Sequence, residues 1–527
     1  MADTQQSSPS ASMSSKLEES GSDIEKDKRG SLNDSGVRDP EKGDAGGDES
    51  GNRNQSLDNA TIVTDWNGPN DPENPLNWSR WKRVFHVLPP ALISFSTTLG
   101  ASIYTPSFPE IMERFNVGST TALLPLSLYV LALGFGPVIA APLSESHGRH
   151  LIYLVSAPLG SLFTMGAGFS QNMQTLCILR FFAGLAFSPC LAIGGGTIAD
   201  VFKADRRATP SAFYIYSPFL GPALGPVIGS FVTTHKHWRW TQWTLIFFAI
   251  FAWIPVLLSQ ETHKATILKH RRKRLGLPPS PSPFPSQKAK IKFLMTVTLF
   301  RPIHMLLTEP IVAFLSLYVA FNFGVLFTFF AAFPYVFETV YHFDTDQSGL
   351  VFLAIGIGCT FAVPTVLLCD RYFYQPHVAA SHSAGHDGVV PPEYRLFPAM
   401  MGSFGLPIGL FWFAWTAKKD ISWASPVVAA VPFAWGNLSI FISAAIYLLD
   451  TYQALTGASA LAANGLMRYL LGAAFPLFAL QMYERLGIDW ATSLLGFITV
   501  ALLPIPWVLF RYGHKIRSRS KYDTIKI

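Results

Sequence analysis

The chain has 527 residues, of which 49% are hydrophobic and only 14% charged. A soluble protein of this size carries about a quarter charged residues, and here the apolar residues come in long blocks, which excludes an ordinary soluble globule. The net charge is +6, and its basic surplus, +15 over residues 80–527, sits in loops between those blocks and not on one soluble face, so it argues against nucleic acid as a partner.

Residues 1–79 are rich in Ser, Gly, Asp and Glu and hold 16 acids against seven Lys/Arg, a net of −9. So little apolar surface cannot offset the entropy of ordering, and the segment is expected to be a disordered, acidic cytoplasmic tail. It contains no apolar signal region. From Val84 onward come a dozen apolar blocks, each near the roughly 20 residues that a helix needs to cross a bilayer. Their approximate bounds are 84–105, 120–142, 151–169, 175–198, 210–232, 241–259, 310–333, 348–368, 396–416, 424–447, 457–481 and 489–510. In hydrocarbon only a helix satisfies its own backbone within one segment. The expected fold is therefore an all-α integral membrane protein of twelve transmembrane helices in two six-helix halves, 80–260 and 305–510.

Residues 261–304 carry the run Lys269-His270-Arg271-Arg272-Lys273-Arg274 and then Pro278-Pro279-Ser280-Pro281-Ser282-Pro283. They read as a basic, Pro-rich cytoplasmic linker and not as a folded domain. Residues 511–527 read as a basic cytoplasmic tail. The linker holds ten Lys/Arg, the tail six and Trp78–Arg83 three. With twelve crossings all three lie on one side, so the basic-loop bias predicts cytoplasmic termini.

Four cysteines (Cys177, Cys190, Cys359, Cys369) lie in or beside the blocks without a CxxC or Cys/His pattern, so no disulfide framework, metal site or cofactor is expected. No phosphate-binding loop, GxSxG or HExxH occurs, and an enzyme is not expected.

The turn after the second block, Gly136–Arg149, ends in Glu145-Ser146-His147-Gly148-Arg149. A tight bend between two crossings needs Gly, and Glu145 with Arg149 can lock it to a neighbouring helix end. The fourth block contains Arg180 and Gly184, then Gly194-Gly195-Gly196 and Asp200. A charge within a crossing costs roughly 2.5–3.5 kcal/mol on insertion scales and marks function by default, although Arg180 could also snorkel to an interface. In the fifth block Gly221, Gly225 and Gly229 recur at steps of four with Pro222 and Pro226 between them. That face suits close helix contact, which alone would explain it. Arg468 lies well inside the eleventh block and Asp450 closes the tenth. The two are expected to pair, either as a structural pin or for transport.

These motifs together resemble the major facilitator superfamily, in the form of the fungal twelve-span drug:proton antiporters of the multidrug and polyamine exporter type. The resemblance runs over nearly all of residues 64–522, including Asp65–Trp78, Gln260-Glu261-Thr262, Pro392–Leu396 and Ala458–Phe478. Two departures are Glu145-Ser146, where the family has Asp-Arg, and Ser230, where it ends the fifth-span motif in Gly. The resemblance implies alternating access, a proton-transfer role for Arg180, gating by Glu145, Gly148, Arg149 and Asp200, and an antiporter motif at Gly221, Gly225, Pro226 and Gly229. It implies export of small amphipathic or cationic compounds in exchange for protons from a monomer in the plasma membrane. A proton-independent facilitator or nutrient importer of the same fold is the alternative. Aromatic and amide residues expected to line the substrate cavity are Tyr104, Tyr129, Tyr214, Tyr216, Tyr318, Asn322, Phe327, Phe433 and Trp435.

Overall fold

The structure, a computed structural model, describes residues 65–524 apart from 204–205, 279–285, 287, 290–291, 294–295, 386–389 and 453. The tail expected over residues 1–64 lies outside the described residues. Six crossing helices precede the linker: α1 (Leu88–Ser102), α2 (Ser119–His147), α3 (Arg149–Gly168), α4 (Met173–Phe187, continued by Pro189–Val201), α5 (Ala208–His235) and α6 (Arg239–Leu258). After it come α7 (Pro310–Tyr341), α8 (Leu353–Cys369), α9 (Phe397–Thr416) and α10 (Ala424–Thr451). The run Ala454–Leu502 breaks at Gly487, whose φ of 79° an L side chain would resist. Its first part is α11, and its second, continued by Pro504–Arg517, is α12. Eleven stretches among the described residues are long and apolar enough to cross a membrane, and the last, Thr456–Arg517, holds two crossings. The twelve expected crossings are therefore present, several running past their apolar cores.

α7 is the most enclosed crossing, with 83% of its apolar window buried. It packs along α11, while the two sets of six meet where α5 touches α8 and α2 touches α11. On the side away from the linker these meetings are tight. Thr234 Oγ1 donates to Asp346 at 2.7 Å, Thr120 Oγ1 lies 2.6 Å from the Gln481 amide, and a side chain at Gly349 would come within 2.6 Å of Ser230 Cβ.

Residues 65–79, expected as part of a disordered tail, instead form an ordered strap on the linker side. Asp71 accepts two hydrogen bonds from the Arg271 guanidinium, at 3.0 and 2.8 Å, and Glu73 pairs with both Arg271 and Arg274. Arg271 and Arg274 belong to a linker helix, Lys264–Arg274, so this part of the linker is ordered too. Burial alone would raise the Asp71 and Glu73 carboxyls. The Asn67 N–H and Arg271 at Asp71, and Arg271 and Arg274 at Glu73, outweigh it and hold both below the usual carboxylate range. Pairing, more than apolar burial, orders a segment that composition alone marks as unstructured. Residues 520 and 521 are docked as well: Glu309 accepts from Ser520 Oγ and the Lys521 N–H, and also from Tyr452 Oη.

Candidate functional site

The turn between α2 and α3 is the first place where several expected residues meet. Gly148 has φ 96° and is buried, and a Cβ there would collide with the Glu261 carboxylate. Arg149 Nε lies 3.4 Å from Asp200 Oδ2, and its Nη1 donates to Ser144 Oγ at 2.6 Å. Glu261 Oε1 accepts the backbone N–H groups of Arg149 at 2.9 Å, Thr262 at 2.9 Å and His263 at 2.8 Å, while Oε2 accepts that of His150 at 3.2 Å. A carboxylate on the first N–H groups of α3 is favoured by hydrogen bonding and by the helix dipole. The ends of α2, α3, α4 and α6 are thus tied into one knot. Glu145, expected in the lock, is exposed and pairs with no described residue. It follows Ser144, which points inward, so the helix turn carries it outward. Glu261 takes the place expected of it; the sequence offered only Gln260-Glu261-Thr262, with no sign of its partner.

A second knot sits at the matching ends of α8, α9 and α10. Arg395 Nε donates to Asp450 at 2.8 Å and Nη1 to Asp370 at 2.6 Å, with the guanidinium 3.3 Å from the Tyr374 ring centroid. Asp450 therefore pairs with Arg395 and not with Arg468, contrary to expectation: Asp450 lies in the last turn of α10, and the start of α9 is nearer than the interior of α11. Beside it, Arg517 and Glu393 form a buried pair at 3.1 Å.

Arg180 does not snorkel. It is fully buried, donates from Nη2 to the Gly100 carbonyl at 2.8 Å, and lies 4.5 Å from the Tyr129 ring centroid and 5.2 Å from that of Tyr104. Its Nε and Nη1 are buried without a partner. Two expected cavity residues, Tyr104 and Tyr129, thus form the walls of this cation's chamber, and their hydroxyls are spent on the Ala122 and Thr97 carbonyls. Arg468 is held differently, 4.4, 4.5 and 4.9 Å from the ring centroids of Phe441, Tyr469 and Phe323.

On α5, side chains at Gly221, Gly225 or Gly229 would run into α1. A Cβ at Gly221 would lie 2.5 Å from the Leu99 nitrogen, one at Gly225 2.8 Å from Ser102 Cβ, and one at Gly229 3.1 Å from the Ile103 carbonyl carbon. Ser102 Oγ donates to the Gly221 carbonyl at 2.9 Å across the same seam. Pro226 faces the other set of six, its carbonyl 3.0 Å from where a side chain at Gly349 would begin.

The remaining aromatic and amide residues divide. Phe327 and Phe433 are buried among other rings. Tyr214 donates to the Cys190 carbonyl at 2.8 Å. Tyr318 Oη and both side-chain polar atoms of Asn322 are buried without partners. Tyr216 and Trp435 are half-buried, the first bonded to Thr360 at 2.7 Å across the halves and the second donating to Thr365 at 2.9 Å. Among the described residues no cluster of His, Cys, Asp or Glu could hold a metal ion.

The comparisons agree with this architecture. The profile of the Major Facilitator Superfamily matches residues 91–476. Polyamine transporter 4 of Saccharomyces cerevisiae is 40% identical over 481 residues, covering 87% of this chain and 73% of its own length. Efflux pump radE of Floropilus chiversii is 36% identical over 466 residues, covering 88% and 86%. The multidrug transporter mdrA of Aspergillus fumigatus is 38% identical over 459 residues, covering 86% and 74%. Among solved structures, the proton:xylose symporter XylE matches with a TM-score of 0.57 at 15% identity, over 82% of this chain and 96% of its own, which shows the shared fold. The chain belongs to the major facilitator superfamily, a multi-pass membrane transporter and not an enzyme.

Proposed function

We propose that this transporter exports small organic compounds with an aromatic or apolar body in exchange for protons, by alternating access between its two six-helix halves. The observation that carries the reading is the seam between α5 and α1, where Gly221, Gly225 and Gly229 admit no side chain. This is the motif that the sequence shares with the exporter branch of the family. The relatives, an efflux pump, a multidrug transporter and a polyamine transporter, support the same direction and leave drugs, secondary metabolites and polyamines as substrate classes.

In this reading the far side is sealed by the α5–α8 and α2–α11 contacts, and the knots around Arg149 and Arg395 hold each half together on the linker side. Arg180 fixes the geometry of α1, α2 and α4, and Asp200 and Asp450 are the carboxylates placed to respond to protons. The protein acts as a monomer in the plasma membrane, with both termini and the linker in the cytoplasm. A proton-independent facilitator is the second reading, favoured by one observation: among the described residues the middle of the crossings holds no carboxylate to carry a proton. An efflux screen of diverse compounds in cells stripped of their own exporters tests the direction. Loss of accumulated compound only when the chain is expressed supports export. Increased uptake of nutrients, with no efflux, overturns it.

A further inference from the structure

Among the described residues, the middle of the membrane region carries cations without counter-ions. Glu145, Glu338 and Asp450 lie in the last turn of their helices, as Asp200 does; Asp370 directly follows α8, and Glu393 precedes α9 by four residues. Arg180 and Arg468 lie inside. Of the two, Arg180 is sealed and already bonded to the Gly100 carbonyl. Arg468 is half-buried, makes no hydrogen bond or ion pair with a described residue, and has its Nε buried without a partner.

Three rings surround the Arg468 guanidinium, and Phe219 of α5 closes the box, its ring centroid 5.2 Å from that of Phe441 and 6.5 Å from that of Phe323. Rings hold a cation through their quadrupoles, yet they neither neutralise it nor use its five N–H donors. One helical turn earlier on α11, Asn464 is buried with Nδ2 unpartnered. Between them in sequence, Gly465 faces open space, since a side chain there would meet nothing within 4 Å. A planar acid group can take two parallel N–H bonds from a guanidinium. Its aromatic or apolar body would lie against the ring faces. A polyammonium ligand would bring like charge to Arg468 in a low-dielectric site where no described carboxylate could receive it.

We propose that Arg468, assisted by Asn464, anchors an acidic group of the transported molecule, so that the substrates are organic anions with an aromatic or apolar body and not polyamines or other cations. The assignment rests on the transporter reading above and narrows its substrate classes to anionic compounds. A cell interior at negative potential would itself favour the outward movement of such an anion.

The test is an equilibrium binding measurement, which needs no transport. The purified full-length protein in micelles is titrated calorimetrically with three probes of one shape: 2-naphthoate, 2-naphthylmethanol and 2-naphthylmethylammonium. The carboxylate is expected to bind tighter than the alcohol by about tenfold or more, as for a charge-assisted hydrogen bond, with the ammonium weakest. Arg468→Gln should bring the carboxylate down to the affinity of the alcohol, and Arg468→Lys should fall between, lacking the planar fork. Asn464→Leu should weaken the carboxylate alone. Should Arg468→Gln fail to fold, the wild-type ranking and Asn464→Leu decide. Ammonium binding equal to or tighter than carboxylate, no binding of any probe, or carboxylate affinity untouched in a folded Arg468→Gln protein overturns the assignment. Naphthoate that binds in the expected order but is never moved across proteoliposomes supports the anchor and sinks the exporter reading instead.

Discussion

Replacement of Gly225 tests the seam between α5 and α1 in graded steps. A first carbon at this position would sit 2.8 Å from Ser102 Cβ and 2.9 Å from the Ile103 nitrogen, well inside the contact distance of about 3.5–4.0 Å. The Ile103 contact is backbone, so relief requires the helices to part. Overpacking of this kind costs about 1–3 kcal/mol. Parting the helices also lengthens the hydrogen bond from Ser102 Oγ to the Gly221 carbonyl, 2.9 Å here, worth about 0.5–1.5 kcal/mol. Gly225→Ala should therefore lie near the low end of these costs, and Gly225→Leu near their sum, about 2–4 kcal/mol. Val227→Leu, on a half-buried position of the same helix, serves as the control. The assay is denaturant unfolding of each purified variant in micelles, paired with efflux normalised to the amount of protein in the membrane. The reasoning is refuted if Gly225→Leu unfolds like wild type and exports normally, or if Val227→Leu is equally harmful.

Four further outcomes are expected. Gly148→Val needs an L side chain at φ 96° and drives it into Glu261, so transport should be lost while the protein still reaches the membrane; normal efflux would remove the turn from the gate. Arg180→Lys cannot reproduce the planar guanidinium between Tyr104 and Tyr129 and should recover only part of the efflux lost in Arg180→Ala, and equal activity of the two would deny that geometry matters. Arg271→Ala leaves Asp71 buried without its partner and should loosen the strap by about 1–3 kcal/mol, seen as faster hydrogen exchange over residues 65–78; unchanged exchange would show that the pair does not hold it. Asp71 and Glu73 ionise below their ordinary values of 3.8 and 4.5, so the stabilisation is fully present above those values and is lost as pH falls through the depressed ones. Strap protection should stay constant from about pH 5 to 8 and fall only in stronger acid; a loss near neutrality would contradict this sign.

Much of the architecture could be read from the chain because a bilayer leaves few alternatives. Apolar length sets the crossings, and the positions of Gly148 and of the α5 glycines are visible as spacing. What escaped was any partner brought close by three-dimensional packing. Glu261 and Arg149 are 112 residues apart and Arg395 and Asp450 are 55 apart, and nothing local marks either pair. The strap is hidden for a related reason: its composition is that of a disordered tail, and only the arginines of the distant linker helix reveal why it is ordered. The aromatic and amide residues expected along the cavity divide by role. Tyr104 and Tyr129 wall in Arg180, Phe327 and Phe433 pack the interior, and Tyr216 and Trp435 remain partly open. Residue type alone cannot separate a ring that lines a path from one that fills a core.

The measurement that bears most directly on proton-coupled export is efflux of a compound from the exporter screen, followed in energised vesicles with an imposed pH gradient, with and without a protonophore. Coupling to protons predicts concentrative efflux that stops when the gradient is collapsed and fails in Arg180→Ala. Efflux that continues undiminished after collapse would contradict the exchange and leave a facilitator.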